Sequence, residues 1–349
     1  MIALVLGVVV VGGSVSIFTG VIRSSNLNQT ISNLQSNGRF AMDVIGRDIR
    51  SAGYIGCAAL QRAVINASLD VPPTTNLIDS AISGHVVGAS SWKPAKPLSY
   101  TAATGAGAPV VGTHALRVQY AEPPGLQLNT SMTPDSNRIT VNKDNAIKLR
   151  ANQLGLISDC SSADLFKVQS FTNTETTKEI TLSEKLVKRY TTSVEFPEST
   201  LVMPFVSVIY YIGDTQRTTA SGKKVLALYS HNFPYTAANP PLELVEGVDQ
   251  LVLEFGVRQS DGTLRYALAG ANGYSAGKIE TVRMGLLLSS METFSEVDAS
   301  RVYSLAGQRV TPVTTSKTTA TSSNTLTYTA DKRMRMPFNT TLNVRNRNL

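Results

Sequence analysis

Residues 1–27, MIALVLGVVVVGGSVSIFTGVIRSSNL, carry no charge before Arg23, and the reading of this stretch decides the fold. As a helix, residues 1–22 extend about 33 Å, enough to cross the hydrocarbon layer of a bilayer. A cleaved secretory signal fits less well. No basic region precedes the run, the apolar stretch is too long, and only Ser14-Val15-Ser16 offers small residues before a cut. Gly7, Gly12, Gly13, Ser14, Ser16 and Gly20 thread small side chains through the span. Small residues let helix backbones approach closely, so they predict packing against other helices. Arg23 is the only charge flanking the run, and the positive-inside rule then puts the rest of the chain in the cytoplasm, unless a basic leader precedes it.

The helix does not stop at Arg23. Residues 24–52 contain no proline; the first in the chain is Pro72. Leu27, Ile31, Leu34, Ala41, Ile45, Ile49 and Ala52 recur at spacings of three, four or seven, which draws one apolar stripe on a helix. Arg39, Asp43, Arg47, Asp48 and Arg50 lie off that stripe, and Asp43 with Arg47 forms an i, i+4 pair. Gly53 supplies the stop. The spacing predicts one helix of about 50 residues, roughly 75 Å long, whose second half lies on an apolar surface.

Beyond Gly53 the period becomes two. Residues 115–120, 165–168, 201–211, 224–228, 251–257 and 282–288 read as strands rich in β-branched and aromatic residues. In LVLEFGVRQSDGTLRYALA, Leu251, Leu253, Phe255 and Val257 alternate. Asp261-Gly262 then turns the chain into a return strand through Leu264, Tyr266 and Leu268. Residues 93–109 and 237–241 read as loops, and residues 311–329, nearly all Ser and Thr, as a mobile surface loop before a last strand at 336–344. The predicted fold is α+β: a long N-terminal transmembrane and assembly helix in residues 1–52, packed on a β-rich globular head in residues 53–349.

The chain has 349 residues, with 42% hydrophobic and 16% charged, which describes a folded protein with few charges. A formal charge of +7 is a mild excess and selects no partner. Cys57 and Cys160 have no second thiol nearby. They could be a disulfide, two buried thiols, or a nucleophile and a bystander, and export favours the disulfide.

His85, His114 and His231 are scattered and form no metal motif, and no GxSxG, HExxH or phosphate loop is present. Ser221-Gly222-Lys223-Lys224 matches SxxK in form only, inside a polar turn. Glu243, Glu246, Asp249 and Glu254 read as a solvated strand edge. Lys332, Arg333, Arg335, Arg345 and Arg347 stand against Asp331 in the tail. Basic clusters can grip DNA phosphates, but on an alternating strand such charges face solvent. Trp92 is the only tryptophan, and no aromatic platform interleaves with the bases. The residues therefore call for no cofactor.

Taken together, the segments resemble the PilW-type minor pilins of bacterial type IV pili. NLQSNGRFAMDVIGRDIRSAGYIGC resembles that family's passage at the helix end, with Gly38-Arg39-Phe40, Asp48-Ile49-Arg50 and Ala52-Gly53-Tyr54. GTHALRVQYAE, LISDCSSADLFKV, LVEGVDQLVLEFGV, VRMGLLLSS and FNTTLNVRNR fall where such segments fall. The resemblance implies that Cys57 and Cys160 pair. It also explains the opening: pilin precursors carry a short basic leader and a glutamate before the run, and MIALVLG resembles the continuation from an internal methionine. A missing leader would restore export.

The resemblance implies a non-enzymatic minor subunit that primes pilus assembly, with roles in adhesion or motility. Its partners would be other minor pilins, the major pilin, a pilus-tip adhesin, and a prepilin peptidase acting on the full-length precursor. Its location would be the inner membrane, with the head in the periplasm, and then the assembled pilus at the cell surface. Alternative classes are a type II secretion pseudopilin, a membrane-anchored periplasmic enzyme, and a DNA-uptake receptor resting on the basic tail.

Overall fold

The computed structural model describes residues 2–58, 60, 63–67, 77, 81–97, 100, 102–133, 136–144, 149–192, 200–233, 238–314 and 326–347. Among them one α-helix, Ile2–Ser51, precedes nineteen β-strands. The helix ends at Gly53, whose φ of +76° places it in the left-handed region that breaks a helix.

The architecture is mostly β, which corrects the α+β expectation. Ala108–Pro109 forms a strand inside a stretch that reads as a loop, and Leu126–Gln127 and Thr177–Leu182 are strands where the sequence reading names none. The transmembrane expectation for residues 1–22 is corrected as well. Among the described residues no helix is long and apolar enough to cross a membrane. From Val10 onward, Gly12, Gly13, Ser14, Ser16, Thr19 and Gly20 dilute the valines and isoleucines, and Arg23 and Asn26 close the run.

The largest sheet is organised around the long strand Leu201–Thr218. On one side this strand pairs with Lys224–Asn232, and on the other with His114–Ala121, through Phe205↔Ala121 to Tyr211↔Ala115. Its first residues pair with Leu154–Ser158, which leads into the hairpin strands Ser162–Asn173 and Thr177–Leu182 and then Arg138–Asn142. A second, four-stranded antiparallel sheet runs in the order Leu264–Leu268, Val248–Arg258, Ile279–Thr293, Arg333–Asn343. The predicted Asp261-Gly262 hairpin forms its first edge, with Gly262 at φ +80°.

The expected mobile loop at residues 311–329 is partly corrected. Gln308–Val313 and Leu326–Thr329 pair in parallel from Val310↔Leu326 to Val313↔Thr329, and residues 315–325 lie outside the described residues. Here β-branched Thr and Val sustain strands in a sequence that reads as low complexity. The main core lies between the helix, the four-stranded sheet and one face of the large sheet. A separate cluster, including Ile139, Phe166, Ile180 and Tyr190, fills the lobe built on the hairpin strands.

His85 illustrates what that packing does to a polar group. It is buried beside Trp92, its Nδ1–H donates to the Pro94 carbonyl at 3.1 Å, and Ser83 Oγ lies 3.2 Å from Nε2. Burial pushes its imidazole down to about 4; the Pro94 hydrogen bond opposes this and the charge of Arg117 reinforces it. The folded value lies below the unfolded one near 6.5, so the neutral ring's contribution is complete above pH 6.5. It is lost as pH falls towards 4. Denaturant unfolding between pH 7 and 4 should show a loss of about 3 kcal/mol that His85→Gln flattens. A pH dependence unchanged by that substitution would refute the assignment.

Candidate functional site

The helix has two halves with different surroundings. From Val10 to Asn26 every described side chain is exposed, including Ile17 at 71% and Phe18 at 67%. The small residues Gly7, Gly12, Gly13, Ser14, Ser16 and Gly20 all lie on this exposed part. A Cβ built on any of the four glycines meets nothing within 4 Å. Ser14 Oγ donates to the Val10 carbonyl at 2.8 Å, and Thr19 Oγ1 donates to the Val15 and Ser16 carbonyls. Folding these hydroxyls back onto their own helix leaves an apolar surface with no partner among the described residues.

The second half is seated on the head. Leu34, Ala41, Ile45 and Ile49 are buried, and Leu27 and Ile31 are half-buried. The buried four join Val282, Met284, Leu286 and Leu288 in the main core, with Phe338 and Leu342 packed against it. Gly38 is dictated by that seat: a Cβ there would sit 2.3 Å from the Phe338 ring, so the ring lies flush with the helix backbone. Phe40, two residues on, points outward and is half-exposed.

Polar groups fix the seat. Tyr210 Oη donates to Asp48 at 2.7 Å and Tyr120 Oη donates at 3.0 Å, tying the helix to two strands of the large sheet. Burial raises the Asp48 carboxyl above its usual range, against the two tyrosine hydroxyls and Arg47, which favour the charge. At the helix end Asn346 Nδ2 donates to the carbonyls of Arg50, Ser51 and Ala52 at 3.2–3.4 Å. The far end of the chain thus satisfies acceptors that a helix C-terminus leaves open. Just beyond, Cys57 and Cys160 form a disulfide with Cα atoms 4.9 Å apart.

The basic tail departs from its sequence reading. Arg333 and Arg335 do not face solvent; both are buried and paired with Asp249 and Asp331, which also takes Asp249 out of the expected solvated edge. These arginines are spent inside the head and offer no grip on DNA phosphates. Asp331 lies just before the strand and stands two residues from Arg333, which stands two from Arg335, so both signs of charge fall on one side of the chain. That alternation was the available signal for internal pairing. The three histidines all sit on strands, and no group of His, Cys, Asp and Glu that could hold a metal occurs among the described residues.

Residues 209–346 match the family model described as Type IV Pilus-assembly protein W, PilW. The matched part holds the four-stranded sheet, the buried ion pairs, and Tyr210, Phe338, Leu342 and Asn346 of the helix's seat, while Tyr120 lies outside it. No curated protein and no solved structure matches the chain.

Proposed function

We propose, on the premise that this chain is a PilW-type type IV pilus-assembly protein, that it acts as a minor structural subunit. In this reading the exposed half of its helix packs beside helices of other pilin subunits. The observation that carries the reading is the division of one helix. Residues 34–49 are locked into a head whose residues 209–346 match the assembly family, while residues 10–26 present an apolar surface that nothing among the described residues covers. Helix association of this kind gains from small residues that allow close backbone approach. Gly12, Ser16 and Gly20 recur every four residues and supply such a groove. Other minor pilins, the major pilin and a tip adhesin are the partners this reading calls for, with adhesion or motility as the outcome.

Replacing Gly12 and Gly13 with leucine tests it. Both positions are open, so the head should fold unchanged. The bulk should block close helix approach, and the variant should fall to background in sheared surface fibres. Normal incorporation and normal piliation would refute the proposal.

A further inference from the structure

Among the described residues the four-stranded sheet ends on two unpaired edges, and their hydrogen-bonding phase can be read from particular residues. In Arg333–Asn343, Pro337 lies opposite Leu287 and has no N–H, while the Val344 N–H donates to the Glu280 carbonyl at 2.8 Å. An antiparallel ladder alternates, so the even-numbered residues bond inward and Asn339, Thr341 and Asn343 turn their main chain outward. All three are exposed, and among the described residues nothing pairs with those main-chain groups.

At the other edge, the Gln259 N–H donates to the Thr263 carbonyl at 2.8 Å across the turn. Leu253, past the end of the return strand, gives its N–H to His114 Nδ1 at 2.9 Å. The odd residues of Val248–Arg258 therefore face this side, and Leu264, Tyr266 and Leu268 turn outward. Natural sheets guard such edges with charges, prolines or bulges. Residues 337–343 carry no charge, and Pro337 guards one end only.

We propose that the edge at residues 339–343 of one copy pairs with the edge at Leu264–Leu268 of a second copy, extending the sheet head to tail. Three features select this occupant. The four strands alternate in direction, so the first and last are antiparallel, and a translated copy continues the alternation. The outward groups match in spacing: Asn339, Thr341 and Asn343 face Leu268, Tyr266 and Leu264. That register brings the exposed Arg345 opposite Gly262, next to the exposed turn residue Asp261, a complementary pair. The arrangement is heterologous, as in open filaments. It rests on the pilus reading in one respect only, that translation keeps all helices parallel, whereas two-fold pairing of identical edges would oppose them.

The test is sedimentation of the full chain in mild detergent micelles. Thr341→Pro removes one outward N–H and leaves the inward ladder intact, so it should fold and raise the self-dissociation constant about tenfold. Thr341→Lys, which keeps every main-chain donor and places a charge on the edge, should weaken association likewise. Arg345→Asp and Asp261→Arg should each weaken it, and the double variant should recover. A benzophenone side chain at position 341 should crosslink to residues 264–268 of another molecule. A monomeric wild type, association indifferent to both Thr341 variants, or crosslinks to residues 339–343 of the second copy would overturn the proposal. Loss of the pilus reading is separately visible, because the Gly12 and Gly13 variants would then enter fibres while edge pairing persisted.

Discussion

Asp249→Ala should destabilise the head by about 3–5 kcal/mol, the range for breaking a buried ion pair and leaving its partner uncompensated. Asp249 Oδ1 accepts from Arg333 Nη2 at 3.3 Å and from Ser289 Oγ at 3.0 Å, and Oδ2 accepts from Arg335 Nε at 2.8 Å. Asp331 closes the ring, 2.9 Å from Arg333 and 2.7 Å from Arg335. Every side chain in this quartet is 2–3% exposed. Two acids and two bases make the cluster neutral, and Arg335 also donates to the Thr329 carbonyl and lies over the Tyr328 ring.

Removing Asp249 strands one net positive charge in a cluster whose side chains are almost wholly buried. Asp249→Asn should cost nearly as much, because it keeps the shape and loses the charge. Burial alone would raise the Asp331 carboxyl, but Arg333 and Arg335 outweigh it and hold it below the usual range. Its contribution is therefore present above pH 4 and lost as pH falls further. Urea unfolding of the full chain decides the matter, and a loss under 1 kcal/mol for Asp249→Ala would show that the cluster is relaxed or hydrated. The cluster positions the first residues of Arg333–Asn343, the strand that carries Phe338 to the helix, so the variant should also loosen the helix seat.

What was legible in the sequence follows from the range of the interactions involved. The helix writes itself into a local period, and Leu34, Ala41, Ile45 and Ile49 could be picked out because spacing alone puts them on one face. The hairpin at Asp261-Gly262 was legible for the same reason, since its turn chemistry lies within four residues. The ion quartet was not, because Asp249 and Arg335 are 86 residues apart and each alone looks like an ordinary surface charge. Asn346 capping a helix that ends at Ser51 is a contact across nearly the whole chain, and no pattern announces it. The transmembrane reading failed differently. It judged residues 1–22 by their length and lack of charge, whereas among the described residues no helix is long and apolar enough to cross a membrane. Short strands such as Leu126–Gln127 were missed because two residues cannot display a period.

Replacing both cysteines with serine should cost about 4 kcal/mol, and the reason lies in the unfolded chain more than in the folded one. Cys57 and Cys160 are 103 residues apart, and a crosslink closing a loop of that length removes about 4–5 kcal/mol of chain entropy from the denatured ensemble. Both residues are exposed in the folded head, so little burial is forfeited when the sulfurs go. The hairpin loop bearing Cys160 also keeps its own order. Asp159 Oδ1 accepts from the N–H groups of Ser161 and Ser162 at 2.9 Å, and its Oδ2 pairs with Lys188. Partial burial would raise the Asp159 carboxyl, but Lys188 and the serine donors hold it down at about 2. The loop is thus preset without the crosslink, and the serine variant should fold to the same head with a lower urea midpoint. Reductant should shift the wild type to that midpoint and leave the variant unmoved. If the serine variant instead unfolded within 1 kcal/mol of the wild type, the denatured chain would already hold these two segments together. Residual structure, and not chain entropy, would then set the stability of the link between the helix end and the large sheet.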